Sequence, residues 1–175
     1  MTFQNAVHHA GAAVTFRTPQ SEDGPAVSAL IAECPPLDTN SAYCNLLQCT
    51  HFAETCIVAE RDGEIVGWIS GYRLPNESSR YFLWQVAVAA SARGESLASR
   101  MIDALLTRPS MQGVQTLITT VTRDNDASWS LFRSLAKRHG ASLGESLCFD
   151  RDTHFAGNHA SEWQAEIGPL NTTTR

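Results

Sequence analysis

No run of lysine and arginine interrupts this 175-residue sequence, no C-x-x-C pair occurs among its five cysteines, and no apolar stretch approaches the length of a membrane span. Each absence excludes a class. Nucleic-acid affinity rests on clustered basic side chains that release counterions from phosphate. With 13 Lys plus Arg against 18 Asp plus Glu and a formal charge of −5, no nucleic-acid partner is expected. The longest apolar runs, Cys56–Ala59 and Val86–Ala90, fall far short of the roughly 20 residues that cross a bilayer, so no membrane partner is expected either. The first thirteen residues carry no Lys or Arg and lack the charged start of a secretory signal, and the expectation is a cytoplasmic chain. Cys34, Cys44, Cys49, Cys56 and Cys148 are odd in number, which fits reduced and mostly buried thiols.

What is present is material for a core. Hydrophobic residues make up 43% of the chain, and a chain this long buries roughly 70% of its unfolded surface. We expect one domain over residues 14–168, with flexible ends at 1–13 and 169–175. Val14-Thr15-Phe16-Arg17 reads as a short strand. A helix opens after Ser21-Glu22-Asp23 with Pro25 in its first turn, and Cys34-Pro35-Pro36 stops it. A second helix runs from about Asn40 to Phe52. The period then changes: 55–60 and 65–72 are β-rich runs joined by a turn containing Asp62-Gly63. A loose loop over 74–79 leads to Tyr81–Val88, the best strand of the chain. Helices are predicted over 97–106 and from Asn125 to Arg138, with a strand at 114–122 between them. Strands at 142–149 and 162–167 flank a long loop, 150–161, of a length usually reserved for function.

The turn Arg93-Gly94-Glu95-Ser96-Leu97-Ala98 lies between the best strand and a helix. Its main-chain N–H groups gather at a helix N-terminus, where partial positive charge accumulates and a pyrophosphate is well received. Gly94 allows close approach, Ala98 keeps the first turn thin, and Arg93 adds a fixed charge. A capped helix of no special function would look the same.

The order of the surrounding pieces adds the rest. Strand, Arg-Gly loop, helix, strand, Asn125–Leu131 and helix together resemble the GNAT N-acetyltransferases. In that family an R-x-x-G-x-A loop holds the pyrophosphate of acetyl-CoA, and an N-x-x-A-x-x-L-Y helix borders its pantetheine arm. Asn125, Ser128 and Leu131 stand at the N, A and L positions. The segments Asp38–Cys44, His51–Cys56, Gly67–Tyr72, Trp84–Val88 and Asp124–Ser128 narrow the resemblance to the diaminobutyrate acetyltransferases of ectoine synthesis. The resemblance implies an α/β (α+β) GNAT acyl-CoA N-acyltransferase fold: a mixed, mostly antiparallel, splayed sheet flanked by helices. It also implies acetyl-CoA as co-substrate, a small amine as acceptor, no metal, and a homodimer. Two positions depart from the family pattern. Ser96 replaces a Gly, and is expected to cap the helix or donate to phosphate. Phe132 replaces a Tyr that protonates the leaving thiolate and has no proton to give.

Acetyl transfer needs a neutral amine, and an alkylammonium of pKa about 10.4 resists deprotonation at pH 7 by roughly 4 to 5 kcal/mol. An acidic pocket wall and a proton relay are therefore expected. Asp38 is assigned to an ammonium of the acceptor, with Asn40 and Tyr43 beside it; Asp38 and Asn40 are equally suited to capping, and Tyr43 to the core. Trp84 either walls the pocket, with a cation–π contact to an ammonium, or packs in the core. Val86, Ala87 and Val88 offer main-chain groups to the thioester. His159 and Glu162, with His154 on the same loop, are candidates to relay the proton. No third ligand makes the histidines a zinc site. Tyr72 is a weaker candidate for the pocket, and His51 reads as a core histidine. The same residues fit acetylation of another small amine or a peptide N-terminus, or an acyl-CoA-binding module without turnover.

Overall fold

The period change near residue 56 marks where helices give way to a sheet. The computed structural model describes residues 13–170; of the flexible ends expected at 1–13 and 169–175, residues 1–12 and 171–175 lie outside the described residues. Seven strands form one sheet: β1 (Thr15–Arg17), β2 (Ile57–Arg61), β3 (Glu64–Leu74), β4 (Glu77–Val88), β5 (Thr116–Thr122), β6 (Ser142–Phe149) and β7 (Glu162–Gly168). Their order is β1-β2-β3-β4-β5-β7-β6. Every neighbouring pair is antiparallel except β4 and β5, which run parallel and meet only at Arg80–Phe82 against Thr116–Ile118. Beyond Phe82 the two strands separate, so the sheet is mixed and splayed as the resemblance implied.

Alternation along the strands divides the core in two. Ile57, Ala59, Ile69, Tyr81, Leu83, Leu117, Ala165 and Ile167 face α3 (Leu97–Leu106) and α4 (Asp126–His139), which contribute Met101, Ile102, Leu105, Trp129, Phe132 and Leu135. Val58, Trp68 and Ala87 face the other way, against Val27, Leu30 and Ile31 of α1 (Gly24–Ala32) and Cys49 of α2 (Ala42–Thr50). Burial pushes the Cys49 thiol up to about 11 and the Cys56 thiol up to about 12, so both stay protonated packing groups. Asp62 and Gly63 both take positive φ in the β2–β3 turn, the backbone that Asp-Gly favours there.

Three expectations change. The loose loop over 74–79 is a tight hairpin, because Leu74 already pairs with Glu77 and both strands extend to the turn. The long loop 150–161 holds a helix, α5 (Arg151–Phe155), whose first amides, Asp152 and Thr153, donate to the Asp150 carboxylate. The packed body also reaches past residue 168: Leu170 is buried and its amide donates to the Gln115 carbonyl.

Candidate active site

The cleft opened by the parting of β4 and β5 has one wall of main chain. Ser70 pairs with Gln85 but Gly71 pairs with Leu83, so Trp84 is an extra residue on β4, a bulge that bends the strand away from β5. Past the bulge, the Ala89 amide donates to Val66 of β3. Residues of an antiparallel ladder alternate between bonded and non-bonded pairs, so Ala87 also bonds inward to Trp68, while the N–H and C=O groups of Val86 and Val88 face the cleft. The Val88 carbonyl already accepts from Cys34 Sγ at 3.4 Å, which leaves the two N–H groups and the Val86 carbonyl turned to the cleft. Ala87, expected there too, does not face it, since its main chain is committed to β3.

The turn after β4 supplies the second part of that wall. The first helical bond of α3 runs from the Arg100 N–H to the Ser96 carbonyl, leaving the Leu97, Ala98 and Ser99 amides without intrahelical acceptors. Gly94 has φ +82° and Ser96 φ +54°. Ser96 is in the left-handed region where the family's glycine costs nothing, and its hydroxyl makes no capping bond, contrary to expectation. Leu97 contributes its amide only, its side chain being buried in the core. Arg93 lies exposed with its Nε donating to the Val88 carbonyl, 3.4 Å away. Glu95 turns away from the cleft to pair with Arg61 at the end of β2. At the head of α4, Asn125 Oδ1 accepts from the Ser128 amide at 3.1 Å, so this side chain caps the helix. Phe132 is 3% exposed among the core residues and offers no face to a cofactor, which corrects its assignment to that surface.

The opposite wall is made of side chains from distant segments. Glu162 opens β7 on the face away from α3 and α4. His159, just before it, has Nδ1 4.0 Å from Glu162 Oε1 and Nε2 4.0 Å from Asp38 Oδ2. Three of the predicted residues therefore meet. His159 Nδ1 also lies 2.7 Å from the Ala160 carbonyl, which can only accept; in the neutral ring Nε2 therefore keeps the lone pair, on the side of Asp38. Burial pushes the Glu162 carboxyl above the usual carboxylate range; His159 and a hydrogen bond with Thr120 oppose this, and the Asp38 charge adds to it. Asp38 itself reaches into solvent, its side chain 85% exposed.

The other predicted residues divide. Trp84 is 44% exposed and stands edge-on to Tyr72 at 6.5 Å, so it is a surface wall rather than core. Tyr43 is 70% exposed on the first turn of α2, not a core residue. Asn40 commits its Nδ2 to Asn45 and Gln85, so its amide nitrogen is structural and only its Oδ1 is left for a substrate. His154 Nδ1 accepts from the Asp150 amide and holds the start of α5. His51 is the exposed C-cap of α2, not a core histidine. Two contributors went unnoticed in the sequence, Thr120 beneath Glu162 and Gln85 beneath Asp38. A lone Gln within the apolar run of β4 was the available signal, since a buried polar group implies a partner.

A splayed mixed sheet, outward amides on the strand before the splay, and free N–H groups at the next helix define an acyl-CoA N-acyltransferase. A model of the Acetyltransferase (GNAT) family matches residues 25–136. L-2,4-diaminobutyric acid acetyltransferases from Methylotuvimicrobium alcaliphilum and Vibrio cholerae are 47% and 43% identical, over 90% and 99% of this chain and 91% and 99% of theirs. A diaminobutyrate acetyltransferase from Paenibacillus lautus, solved with L-2,4-diaminobutyric acid and coenzyme A, superposes with TM-score 0.88 at 35% identity, covering 94% of this chain and 99% of that one. Ard1 from Thermoplasma volcanium, 19% identical with TM-score 0.70 over 90% of this chain and 99% of its own, shares the fold. The chain belongs to the GNAT acetyltransferase family and, within it, to the L-2,4-diaminobutyric acid acetyltransferases.

Proposed function

We infer that this chain transfers the acetyl group of acetyl-CoA to the 4-amino group of L-2,4-diaminobutyrate, as the acetylating step of ectoine synthesis. The observation that carries the reading is the meeting of Asp38, His159 and Glu162 beside the open edge of β4. Acetyl-CoA supplies an activated acyl group. The amides at residues 97–99 and the Arg93 charge receive its diphosphate, and an outward N–H of Val86 or Val88 polarises the thioester carbonyl.

Asp38 holds one ammonium of the acceptor. Glu162 takes the proton from the other, since its raised carboxyl is a better base than an ordinary carboxylate. Glu162 gives that proton up to solvent, and His159, its Nδ1–H held by the Ala160 carbonyl, stands between the two carboxylates with Nε2 towards Asp38. Nitrogen then bonds to the acyl carbon as the carbon–sulfur bond breaks, and the nitrogen releases its second proton to solvent as the amide forms. Phe132 cannot protonate the thiolate, so solvent does so.

A homodimer is part of this proposal. Tyr43, Leu46, Phe52 and Trp84 leave apolar surface exposed on α2, the turn after it, and β4, the kind of surface a second copy covers. Light scattering on the purified chain checks it. Five free thiols and the need for acetyl-CoA support a cytoplasmic setting, and ectoine synthesis supports a role in osmotic stress.

The test is direct. Purified protein given acetyl-CoA and L-2,4-diaminobutyrate should release free thiol, and NMR of the product should place the acetyl on the 4-nitrogen. No release with this diamine, or acetylation of the 2-nitrogen alone, overturns the reading.

A further inference from the structure

Gln85 is a buried amide, 5% exposed, in the strand that lines the cleft. Its main chain is paired with Ser70, so the side chain is not needed to hold β4 to β3. Instead it crosses to the loop between α1 and α2. Nε2 donates to the Asp38 carbonyl at 2.8 Å, and Oε1 accepts from Asn40 Nδ2 at 2.8 Å, so one amide grips the loop on both sides of Thr39. Asn40 Nδ2 also donates to Asn45 Oδ1 at 3.1 Å, and Asn45 Nδ2 donates to Ser28 Oγ at 2.8 Å. A hydrogen-bonded chain thus runs from α1 through α2 to β4.

The consequence concerns Asp38. Its carboxylate reaches into solvent, and among the described residues its ion pair is with His159 at 4.0 Å, too long to fix the side chain. The position of its main chain is therefore what places the charge, and Gln85 fixes that main chain. The residue doing so is next to the Trp84 bulge and one before Val86, whose amide faces the cleft. A single side chain therefore ties the acceptor-holding loop to the strand edge beside which acyl transfer takes place. The acceptor is a diamine whose two nitrogens differ in distance from its carboxylate, so the separation of those two walls selects which nitrogen meets the acyl carbon.

We propose that Gln85 is a positioning residue that fixes the Asp38 loop at a set distance from β4 and thereby selects the 4-amino over the 2-amino group. It touches neither substrate. The inference rests on the reading that Asp38 holds the acceptor, and its test separates the two.

Q85L keeps the side chain near the same size and removes both bonds; Q85E keeps the shape and the bond from Asn40 but, when ionised, cannot donate to Asp38. Hydrogen exchange on the free proteins reads the clamp without any substrate: amides of residues 37–40 should exchange at least tenfold faster in Q85L, with β3 and β4 unchanged. In the assay, Q85L should raise KM for diaminobutyrate about tenfold, leave KM for acetyl-CoA within twofold, and yield a 2-acetyl isomer absent from the wild-type product. Q85E should shift both readouts in the same direction and decides the matter where Q85L does not fold. Unchanged exchange at 37–40, or an unchanged isomer ratio with both KM values moving together, overturns the proposal. Wild-type protein inert towards diaminobutyrate would instead defeat the acceptor assignment, leaving exchange to decide the clamp.

Discussion

The two walls of the cleft are built from different materials. The side we propose for the cofactor is main chain: outward groups at Val86 and Val88, and the amides of Leu97, Ala98 and Ser99 that have no intrahelical acceptor. The side we propose for the acceptor is side chains, Asp38, His159 and Glu162, drawn from the α1–α2 loop, the segment after α5 and the start of β7. A main-chain wall is specified by backbone shape, so substitutions alter it only where they alter φ and ψ or block approach. A side-chain wall loses its function with one exchanged atom. Substitution should therefore cost far more on the second wall than on the first.

Glu162→Gln should show the largest effect. Removing a base of this kind lowers kcat about 100-fold or more, read as thiol release at saturating substrates. The same variant separates activity from stability. The folded carboxyl is raised above its ordinary range by burial, so the folded chain retains that proton at pH values where the unfolded chain has lost it. Stability then falls as pH rises from the ordinary carboxylate range through the raised value, and stays lower above it. Glu162→Gln removes that loss, so its denaturation midpoint should exceed wild type at neutral pH and lose the advantage in acid. Wild-type kcat/KM should rise with pH over the same window, as the base ionises. Equal pH dependence of stability in the two proteins would remove Glu162 from this role.

Asp38→Asn should come next, with KM for diaminobutyrate rising about tenfold, since one charged hydrogen bond in an open position contributes about 1.4 kcal/mol. KM for acetyl-CoA should not move. Steady-state kinetics with each substrate varied in turn checks both.

The same contrast explains what the sequence disclosed. The main-chain wall was legible as structure because its determinants are consecutive: a strand, a turn with Gly94, and a helix start read off in order over residues 81–106. Helix α3 and the Asn125 cap followed for the same reason. The side-chain wall depends on residues more than a hundred positions apart, and spacing says nothing about which of them meet. Asp38 and Glu162 came from chemistry and resemblance, not periodicity. Asn40 was placed on substrate because nothing local revealed that Gln85 holds it. The hairpin at Pro75-Asn76 was hidden by a polar stretch that reads as loop, although Glu77–Ser79 continue β4 with exposed side chains. Phe132 was placed on the cofactor surface by resemblance, although its helical spacing with Trp129, Leu135 and Ala136 already marks the face of α4 that is buried.

On the main-chain wall, Ser96→Gly should act through backbone alone. Serine at φ +54° bears a left-handed cost of about 1 kcal/mol that glycine avoids. The gain is offset in part by glycine's greater freedom in the unfolded chain. We expect a net rise in thermal midpoint, and acetyl-CoA binding by calorimetry two- to fivefold tighter with the turn relaxed. Diaminobutyrate KM should be unaltered. A weaker cofactor affinity would mean that the Ser96 hydroxyl donates to phosphate after all.

The smallest effect belongs to Arg61→Ala. Arg61 pairs with Glu95, and both side chains are partly open to water, so the pair contributes about 0.5 kcal/mol at most to stability. Glu95 lies between Gly94 and Ser96, and losing its partner frees the turn without removing any amide that faces the cleft. Cofactor affinity should weaken by no more than about twofold, and high salt should produce the same change in wild type by screening the pair. A tenfold loss of acetyl-CoA affinity would show that the turn needs a side-chain strut. The division between a main-chain wall and a side-chain wall would then fail where it is drawn most sharply.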